Sequence, residues 1–165
     1  MNPFAINPAA EPDVLPLLEM IRELAEFEGL RSELEVTTES LREALFGARP
    51  AATALLARVA DQPAGYAVCF QTFSTFTGRP GVFLDDLYVR TPFRGRGIGR
   101  ALLLESAKRG AASAGRMEWI TLRWNEKAFR FYRSLGAKVM EDWALLRMDG
   151  QQVRKLVNVT VKASA

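Results

Sequence analysis

Residues 84–99 have the sequence LDDLYVRTPFRGRGIG, which passes from a strand pattern through a glycine-rich loop into the start of a helix. Three glycines in the loop, Gly95, Gly97 and Gly99, alternate with larger residues. Because glycine has no Cβ atom and adopts positive φ easily, such a loop lets the backbone approach a ligand closely. The first amides of the following helix have no intrahelical partner and lie at the positive end of the helix dipole. The stretch therefore predicts a binding site for a phosphate or pyrophosphate group.

Other nucleotide-binding loops do not match this spacing. A dinucleotide-binding loop requires G-x-G-x-x-G and an acidic residue about 20 positions later, and a P-loop requires Gly-Lys followed by Ser or Thr. The glycines here follow G-x-G-x-G, and four arginines lie in or beside them: Arg90, Arg94, Arg96 and Arg100. A glycine-rich turn without a ligand is the alternative, but it leaves the arginine–glycine sequence at a helix start unexplained.

Hydrophobic periodicity and turn signals predict helices and strands along the whole chain. The predicted helices span residues 13–25, with Asp13 as the cap, 37–45, 98–109 and 126–135. The predicted strands span residues 4–6, 52–59, 63–72, 82–89, 119–122 and 143–148, with a turn at 78–81. An antiparallel meander followed by strand–helix–strand–helix–strand is typical of a mixed α+β fold, in which helices cover the faces of a sheet.

Length and composition are those of an ordinary globular protein. The chain has 165 residues, of which 48% are hydrophobic and 25% charged, and its net charge is only +3. We expect a single domain over residues 1–165, with residues 158–165 as a C-terminal tail. Neither a membrane span nor a signal peptide is predicted, so we expect a cytoplasmic protein without a membrane partner. A nucleic-acid partner is not expected either, because the basic residues form no broad stripe.

The chain contains no histidine and a single cysteine, Cys69. The commonest metal ligand and the commonest general base are therefore missing, and we expect no metal. Cys69 lies in an apolar run and is expected to be buried as a small hydrophobic residue rather than to act as a nucleophile. Any proton transfer must then use carboxylates, tyrosine, lysine, cysteine or water.

The loop sequence RGRGIG, residues 94–99, resembles the R/Q-x-x-G-x-G/A pyrophosphate signature of the GNAT superfamily of N-acetyltransferases. The stretches LAEFE (24–28), LDDLYV (84–89), WNE (124–126) and FY (131–132) resemble its diamine, or spermidine/spermine-type, branch. The resemblance extends over nearly the whole chain. It implies an acetyl-CoA-dependent N-acetyltransferase that acts on a small amine by direct attack on the thioester. The implied fold is a mostly antiparallel twisted sheet with a splayed parallel strand pair and helices on both faces.

The resemblance also implies which residues hold acetyl-CoA. The pyrophosphate would lie on the loop formed by Arg94, Gly95, Arg96, Gly97, Ile98 and Gly99. The pantetheine arm would lie between strands 82–89 and 119–122 and bind the backbone of Leu87, Tyr88 and Val89. An amide near Leu87 would polarise the thioester carbonyl. A homodimer is implied as well.

Asn125 and Tyr132 are seven residues apart on one predicted helix, so they share a face. The resemblance implies that Asn125 contacts the CoA arm and that Tyr132 donates a proton to the departing sulfur. Each residue also has a purely structural interpretation. Asn125 is a good helix cap, and Tyr132 lies beside the apolar stripe of its helix.

The amine acceptor requires a proton acceptor, because an alkylamine with a pKa of about 10.4 is almost fully protonated at neutral pH. Asp85 and Asp86 are adjacent on a predicted strand, where alternation would point them to opposite faces. The resemblance implies that Asp85 removes the proton through a water molecule and that Glu28 lies near the amine site. The negative charges of Glu28, Asp85 and Asp86 would attract a cationic acceptor, and we expect these three residues to bind it. A surface or loop-capping carboxylate is the alternative for Asp85 and Asp86.

Three other functions remain open from the sequence alone. A GNAT-fold enzyme could acetylate a protein or peptide instead of a small amine. A non-catalytic CoA-binding regulatory module would need the loop but neither Tyr132 nor Asp85. The arginine cluster by itself suggests a nucleic-acid-associated protein, which strongly salt-dependent binding to duplex DNA would support.

Overall fold

The computed structural model describes residues 4–111 and 115–158 of the chain. It divides into two compact units, Met1–Leu122 and Arg123–Ala165, and each is described below by itself. The single domain expected from the sequence stays a prediction. Of the expected C-terminal tail, residues 159–165 lie outside the described residues. No helix among the described residues is long and apolar enough to cross a membrane.

The first unit is built on a five-stranded sheet in the order β1-β2-β3-β4-β5. The strands are β1 (Phe4–Pro8), β2 (Thr53–Val59), β3 (Gln62–Ser74), β4 (Arg79–Val89) and β5 (Met117–Trp119). β1 to β4 pair antiparallel, and β4 pairs with β5 in parallel. The predicted fold class, a mostly antiparallel sheet with one parallel pair, is confirmed.

Three helices accompany this sheet: α1 (Val14–Glu28), α2 (Thr38–Phe46) and α3 (Ile98–Ala111). The helix α1 ends where Gly29 takes a left-handed conformation with φ of 74°, which glycine adopts without steric cost. Thr37 caps α2, because its side-chain oxygen accepts a hydrogen bond of 3.1 Å from the Ser40 amide. Short 3₁₀ turns lie at Glu11–Asp13, Arg31–Glu33 and Thr91–Phe93.

The two faces of the sheet are covered by different helices. Alternate residues of β2, β3 and β4, including Leu56, Tyr66, Val68 and Tyr88, form one core with α1 and α2. The helix α3 packs against β2, β3 and β4, and its Ser106 side chain lies beside the Cys69 thiol. Because Cys69 adjoins Val68 on β3, it points to the opposite face. Helices therefore cover both faces, as predicted, and Cys69 is buried, as expected.

The register between β3 and β4 shifts by one residue at Asp85. Val68 pairs with Asp86, but the next residue of β3, Cys69, pairs with Leu84. Asp85 is therefore an extra residue in β4, which is the definition of a β-bulge. The parallel ladder with β5 ends at the same place, with the pair Leu84 and Trp119.

Three local predictions for the first unit are wrong. The turn predicted at 78–81 lies earlier, because Gly78 alone takes positive φ, 64°, and β4 begins at Arg79. The strand predicted at 119–122 lies at Met117–Trp119, because its ladder ends beside the bulge. Asp13 precedes α1 but does not cap it through its side chain. Its carboxylate accepts the Ala10 amide and pairs with Arg58 instead.

The second unit contains two helices, α4 (Glu126–Ser134) and α5 (Gly150–Val157). The helix α4 was predicted, and Gly136 follows it with φ of 90°. The strand predicted at 143–148 is wrong. A strand needs a hydrogen-bonded neighbour, and none exists within the described residues of this unit. The sequence analysis missed α5, although the reciprocal capping of Asp149 and Gln152 is a helix-start signal.

We expect Leu17→Ala to destabilise the protein by about 2–5 kcal/mol, because the side chain is buried in the core and its removal leaves a cavity. Leu17 is 0% exposed and Leu15, on the same helix, is 60% exposed. Leu15→Ala is therefore the matched control, with an expected change within about 0.5 kcal/mol. Urea denaturation measures both free energies of unfolding. Equal losses in the two variants would contradict the orientation of α1.

Candidate active site

The glycine-rich loop leaves open space beside its backbone. Gly95 and Gly97 take positive φ, 75° and 85°, and beyond the adjoining residues no described atom lies within 4 Å of the position that a Cβ atom would occupy at either glycine. The helix begins directly after them, since the Ala101 amide donates to the Gly97 carbonyl at 3.0 Å. Ile98 is buried and anchors the first turn. The loop therefore presents backbone to solvent at a helix N-terminus, as a phosphate site requires.

Arg94, at the start of this loop, contacts the helix α1 and the strand β4. Its Nε donates a hydrogen bond of 2.8 Å to the Val89 carbonyl. Its guanidinium carbon lies 5.4 Å from the ring centroid of Phe27 and 5.7 Å from that of Tyr88. These distances are within cation–π range, so α1 and β4 together hold the start of the loop. The sequence analysis did not find Phe27, whose exposed position at the end of α1 gives no signal of its own.

The neighbouring arginines have different surroundings. Arg90 donates to both carboxylate oxygens of Glu23 and to the Pro63 carbonyl, and the hydrogen bond to Glu23 raises its pKa. Arg90 therefore joins α1 to the end of β4. Arg96 lies on the loop itself, with its guanidinium carbon 5.5 Å from the Phe93 ring. Arg94 and Arg96 keep positive charge at the loop.

The segment of β4 that follows the bulge pairs with β3 on one side. Leu87, Tyr88 and Val89 lie opposite Ala67, Tyr66 and Gly65. On the other side the pairing with β5 has already ended at Leu84. In the described part of the first unit, no strand covers this edge. Its backbone groups are available for an extended ligand, although the Val89 carbonyl already accepts a bond from Arg94.

Three predicted acidic residues and one tyrosine come together beside the bulge. The Tyr66 hydroxyl donates a hydrogen bond of 2.9 Å to Asp86 Oδ2. Asp85 and Glu28 lie close enough for their charges to act on both Asp86 and Tyr66. The bulge interrupts the alternation that predicted opposite faces for Asp85 and Asp86. None of the ion pairs found among the described residues involves Glu28, Asp85 or Asp86.

Burial raises the proton affinity of each carboxyl in this cluster. It raises the pKa of Asp86 to about 6; the hydrogen bond from Tyr66 opposes this increase, and the charges of Asp85 and Glu28 add to it. Neighbouring groups also remove part of the water around the Asp85 and Glu28 carboxyls, and this desolvation raises the pKa of each. The Tyr66 pKa is well above its usual value, because of burial and then the Asp86 charge. The cluster is therefore a partly desolvated negative site that a cation would stabilise.

The remaining predicted residues, Asn125 and Tyr132, belong to the second unit. Asn125 caps α4, because its Oδ1 accepts a hydrogen bond of 3.1 Å from the Ala128 amide. Tyr132 lies on the same helix, and its ring centroid is 5.1 Å from that of Phe131. Asn125 therefore has the helix-capping role that its residue type predicts. Whether it also contacts CoA stays a prediction.

Comparison with known proteins identifies the family. The sequence pattern of the acetyltransferase (GNAT) family matches residues 17–137, more than half of the chain. The chain therefore belongs to the GNAT family of acetyltransferases. It is 34% identical to the thialysine N-epsilon-acetyltransferase of Sus scrofa, over 94% of this chain and 98% of the relative. It is 29% identical to a human spermidine/spermine N(1)-acetyltransferase-like protein 1, over 93% of this chain and 24% of that longer protein.

Solved structures agree with this GNAT membership at the level of the fold. An integron cassette protein from the mobile metagenome of V. cholerae superposes with a TM-score of 0.78 at 23% identity, over 96% of this chain and 99% of that one. The expected N-acetyltransferase class and the resemblance to the diamine-type branch are confirmed by the curated relatives. This GNAT enzyme uses acetyl-CoA as its acyl donor, as the family implies.

The loop of this GNAT enzyme fits a pyrophosphate. The open space beside Gly95 and Gly97, the helix start and the two loop arginines are what such an anion requires. The edge of β4 after Leu84, beside which the described part of the first unit has no strand, has the extended backbone that the predicted pantetheine site requires. In the part of the chain that the structure describes, no three side chains of the metal-binding types are grouped to hold a metal ion.

We expect Gly97→Ala to weaken CoA binding about tenfold, because a left-handed backbone costs a residue with a Cβ atom roughly 1–2 kcal/mol and the loop would relax away from the ligand geometry. The matched control is Gly78→Ala, at a position with φ of 64° and equally open surroundings in the β3–β4 turn. Isothermal titration with CoA measures both affinities. If both variants bind CoA as the wild type does, the loop is not the pyrophosphate site.

Proposed function

We propose that this N-acetyltransferase acetylates a terminal primary amine of a small acceptor that carries a second amino group: a polyamine, a diamine or a lysine-like amine. The cluster of Glu28, Asp85 and Asp86 carries this proposal, because three carboxyls without an arginine or lysine partner among the described ion pairs attract a cation. The names of the thialysine and spermidine/spermine relatives support the same acceptor classes.

The acceptor enters as an ammonium, so its nitrogen loses two protons in all: one before the lone pair forms a bond to the acetyl carbonyl carbon, and one after that bond has formed. The carbon–sulfur bond breaks and the sulfur gains one proton, so each turnover releases one proton to solvent. Freeing the lone pair of an alkylammonium at neutral pH costs about 4–5 kcal/mol. Asp85 would accept this proton through a water molecule, and its exposed position lets it return the proton to solvent. The amide of Leu87 would polarise the thioester carbonyl.

Tyr132 would supply the hydrogen bond to the departing sulfur. A tyrosine with a pKa of about 10 donates a proton slightly uphill to a thiolate with a pKa of about 8.5. Its main contribution is therefore a hydrogen bond to the charge that develops on sulfur. General acid catalysis of this kind contributes roughly 10²- to 10⁴-fold.

The acceptor class is tested by the release of free CoA thiol with a panel of amines. The panel contains thialysine, lysine, putrescine, spermidine, a basic peptide and, as the matched control, an alkyl monoamine of the same length. We expect turnover of amines that carry a second cationic group and a higher KM for the monoamine. Turnover of the peptide alone would contradict the proposal in favour of a protein acetyltransferase. CoA binding without any turnover would favour a regulatory module.

We expect Glu28→Gln to raise the KM for the preferred diamine or lysine analogue about tenfold, because it removes one charge from the cluster, and to leave the KM for the monoamine nearly unchanged. Glu105→Gln is the matched control, since this glutamate pairs with Lys108 at 3.7 Å on α3, which covers the other face of the sheet. Steady-state kinetics give the six KM values, for the two amines with the wild type and with each of the two variants. An unchanged diamine KM in Glu28→Gln would remove Glu28 from the acceptor site.

We expect Tyr132→Phe to lower kcat by about 10²- to 10⁴-fold, while the affinity for CoA changes by less than about twofold. The substitution keeps the ring and removes only the proton donor. Steady-state thiol release measures kcat, and isothermal titration measures CoA affinity. A kcat equal to that of the wild type would contradict the proposal that Tyr132 is the proton donor.

The homodimer and the cytoplasmic location that the sequence analysis expected remain predictions, as does the absence of membrane and nucleic-acid partners. Sedimentation velocity of the full chain would give the oligomeric state directly.

A further inference from the structure

Tyr66 is a polar residue in the middle of the core. It is 0% exposed and lies on β3 between Gly65 and Ala67, with its ring centroid 6.2 Å from that of Tyr88. A phenylalanine would fill nearly the same space. Burying a hydroxyl without a hydrogen bond is costly, and the Tyr66 hydroxyl makes one specific bond, of 2.9 Å, to Asp86 Oδ2. The hydrogen bond to Asp86 is therefore what distinguishes a tyrosine from a phenylalanine at this position.

Asp86 occupies the end of the bulge on the face of the sheet that α1 covers. It pairs across the ladder with Val68, which belongs to the α1 core. The titratable groups that act on Asp86 come from each neighbouring element: Tyr66 from β3, Asp85 from β4 and Glu28 from α1. Both carboxylates disfavour the ionised form of Asp86, as does burial. Of the four influences on the Asp86 pKa, which are burial and these three groups, the hydrogen bond from Tyr66 alone favours the ionised form.

We propose that Tyr66 is a positioning residue that keeps Asp86 ionised and fixes its orientation, so that the second carboxylate oxygen receives the ammonium group of the acceptor. The proposal rests on the proposed function, because it concerns the acceptor site of the same reaction. Tyr66 touches neither substrate; it acts through Asp86. With Oδ2 held by the hydroxyl, Oδ1 is the oxygen left to accept from an ammonium.

The sign of the pH effect follows from the hydrogen bond. The pKa of Asp86 is about 6 with the Tyr66 hydrogen bond in place: burial raises it and the hydroxyl lowers it. Tyr66→Phe removes this bond and keeps the ring, so Asp86 should take up its proton at higher pH. Because a protonated Asp86 no longer attracts a cation, the variant should lose activity on the acidic side of neutrality while keeping it at alkaline pH.

The experiment compares kcat/KM for the preferred acceptor in Tyr66→Phe and wild type across pH. The ratio of the two values cancels the ionisation of the acceptor, which is the same in both. If Asp86 titrates about one pH unit higher in the variant, the ratio at about pH 6 is roughly fivefold below the ratio at about pH 8.5. In the Asp86→Asn background, Tyr66→Phe should produce no pH-dependent loss. The ¹³C carboxyl resonance of Asp86, assigned with Asp86→Asn, should show the same upward shift of its titration midpoint.

Ser106→Ala is the matched control for the loss of a buried hydroxyl. Ser106 is buried on α3, where its hydroxyl donates to the Leu102 carbonyl at 2.9 Å. The ratio of kcat/KM in Ser106→Ala to that in the wild type should be the same at all pH values. Thermal unfolding of Tyr66→Phe at both pH values confirms that the rates refer to folded enzyme.

Two results would overturn the proposal. The first is a pH-independent ratio for Tyr66→Phe, which would make Tyr66 a packing residue. The second is a carboxyl midpoint that moves without any change in the ratio, which would remove Asp86 from acceptor binding. The carboxyl titration needs no acceptor, so it separates failure of this proposal from failure of the proposed function. The latter would appear as absence of amine turnover in the wild type.

Discussion

Hydrogen bonding along β4 changes at Asp85, because one extra residue there breaks the register with β3. The parallel ladder with β5 ends beside it, at Leu84 and Trp119. A bulge of this kind re-aims side chains and frees backbone groups at the edge of a sheet. Here the backbone after Asp85 pairs with no described strand of the first unit on its β5 side, and the carboxyls of Asp85 and Asp86 lie next to it. The proposed donor and acceptor sites therefore both depend on this bulge.

The helix α1 connects these two sites through adjacent residues at its C-terminal end. Phe27 stacks on Arg94 and so holds the anion-binding loop, whereas Glu28 contributes to the acidic cluster. The C-terminal end of a helix is the negative end of its dipole, which adds to the field that attracts a cation. The start of α3 provides the positive end at the loop. Opposite helix ends therefore lie at the two sites proposed for substrates of opposite charge.

The sequence predicted what depends on local pattern. The loop glycines, the helix after them, the helix start near Thr37 and most of the strands follow from spacing and turn chemistry. The bulge could not be predicted, because Asp85 and Asp86 look like ordinary alternating strand residues and register is set by the partner strand. Simple alternation along the strand therefore does not describe Asp85 and Asp86, two residues of the candidate site. The segment 143–148 has a strand pattern, but a pattern does not supply the neighbour that a strand requires.

The proposed role of Tyr66 could not be predicted from the sequence, for a related reason. In the run PAGYAVCF it resembles any aromatic core residue, and only the fold brings its hydroxyl to Asp86, 20 residues away. The chain has no histidine, and Asp86 supplies the titration near neutral pH that a histidine would otherwise give. A histidine titrates near neutral pH by itself, whereas a carboxyl does so only when its surroundings disfavour the charge. Burial and two neighbouring carboxylates bring Asp86 to a pKa of about 6, so this chain without histidine still has a group that titrates near neutral pH in the proposed acceptor site. The hydroxyl of Tyr66 limits that shift, since without an opposing hydrogen bond the same burial would neutralise the group that has to attract a cation.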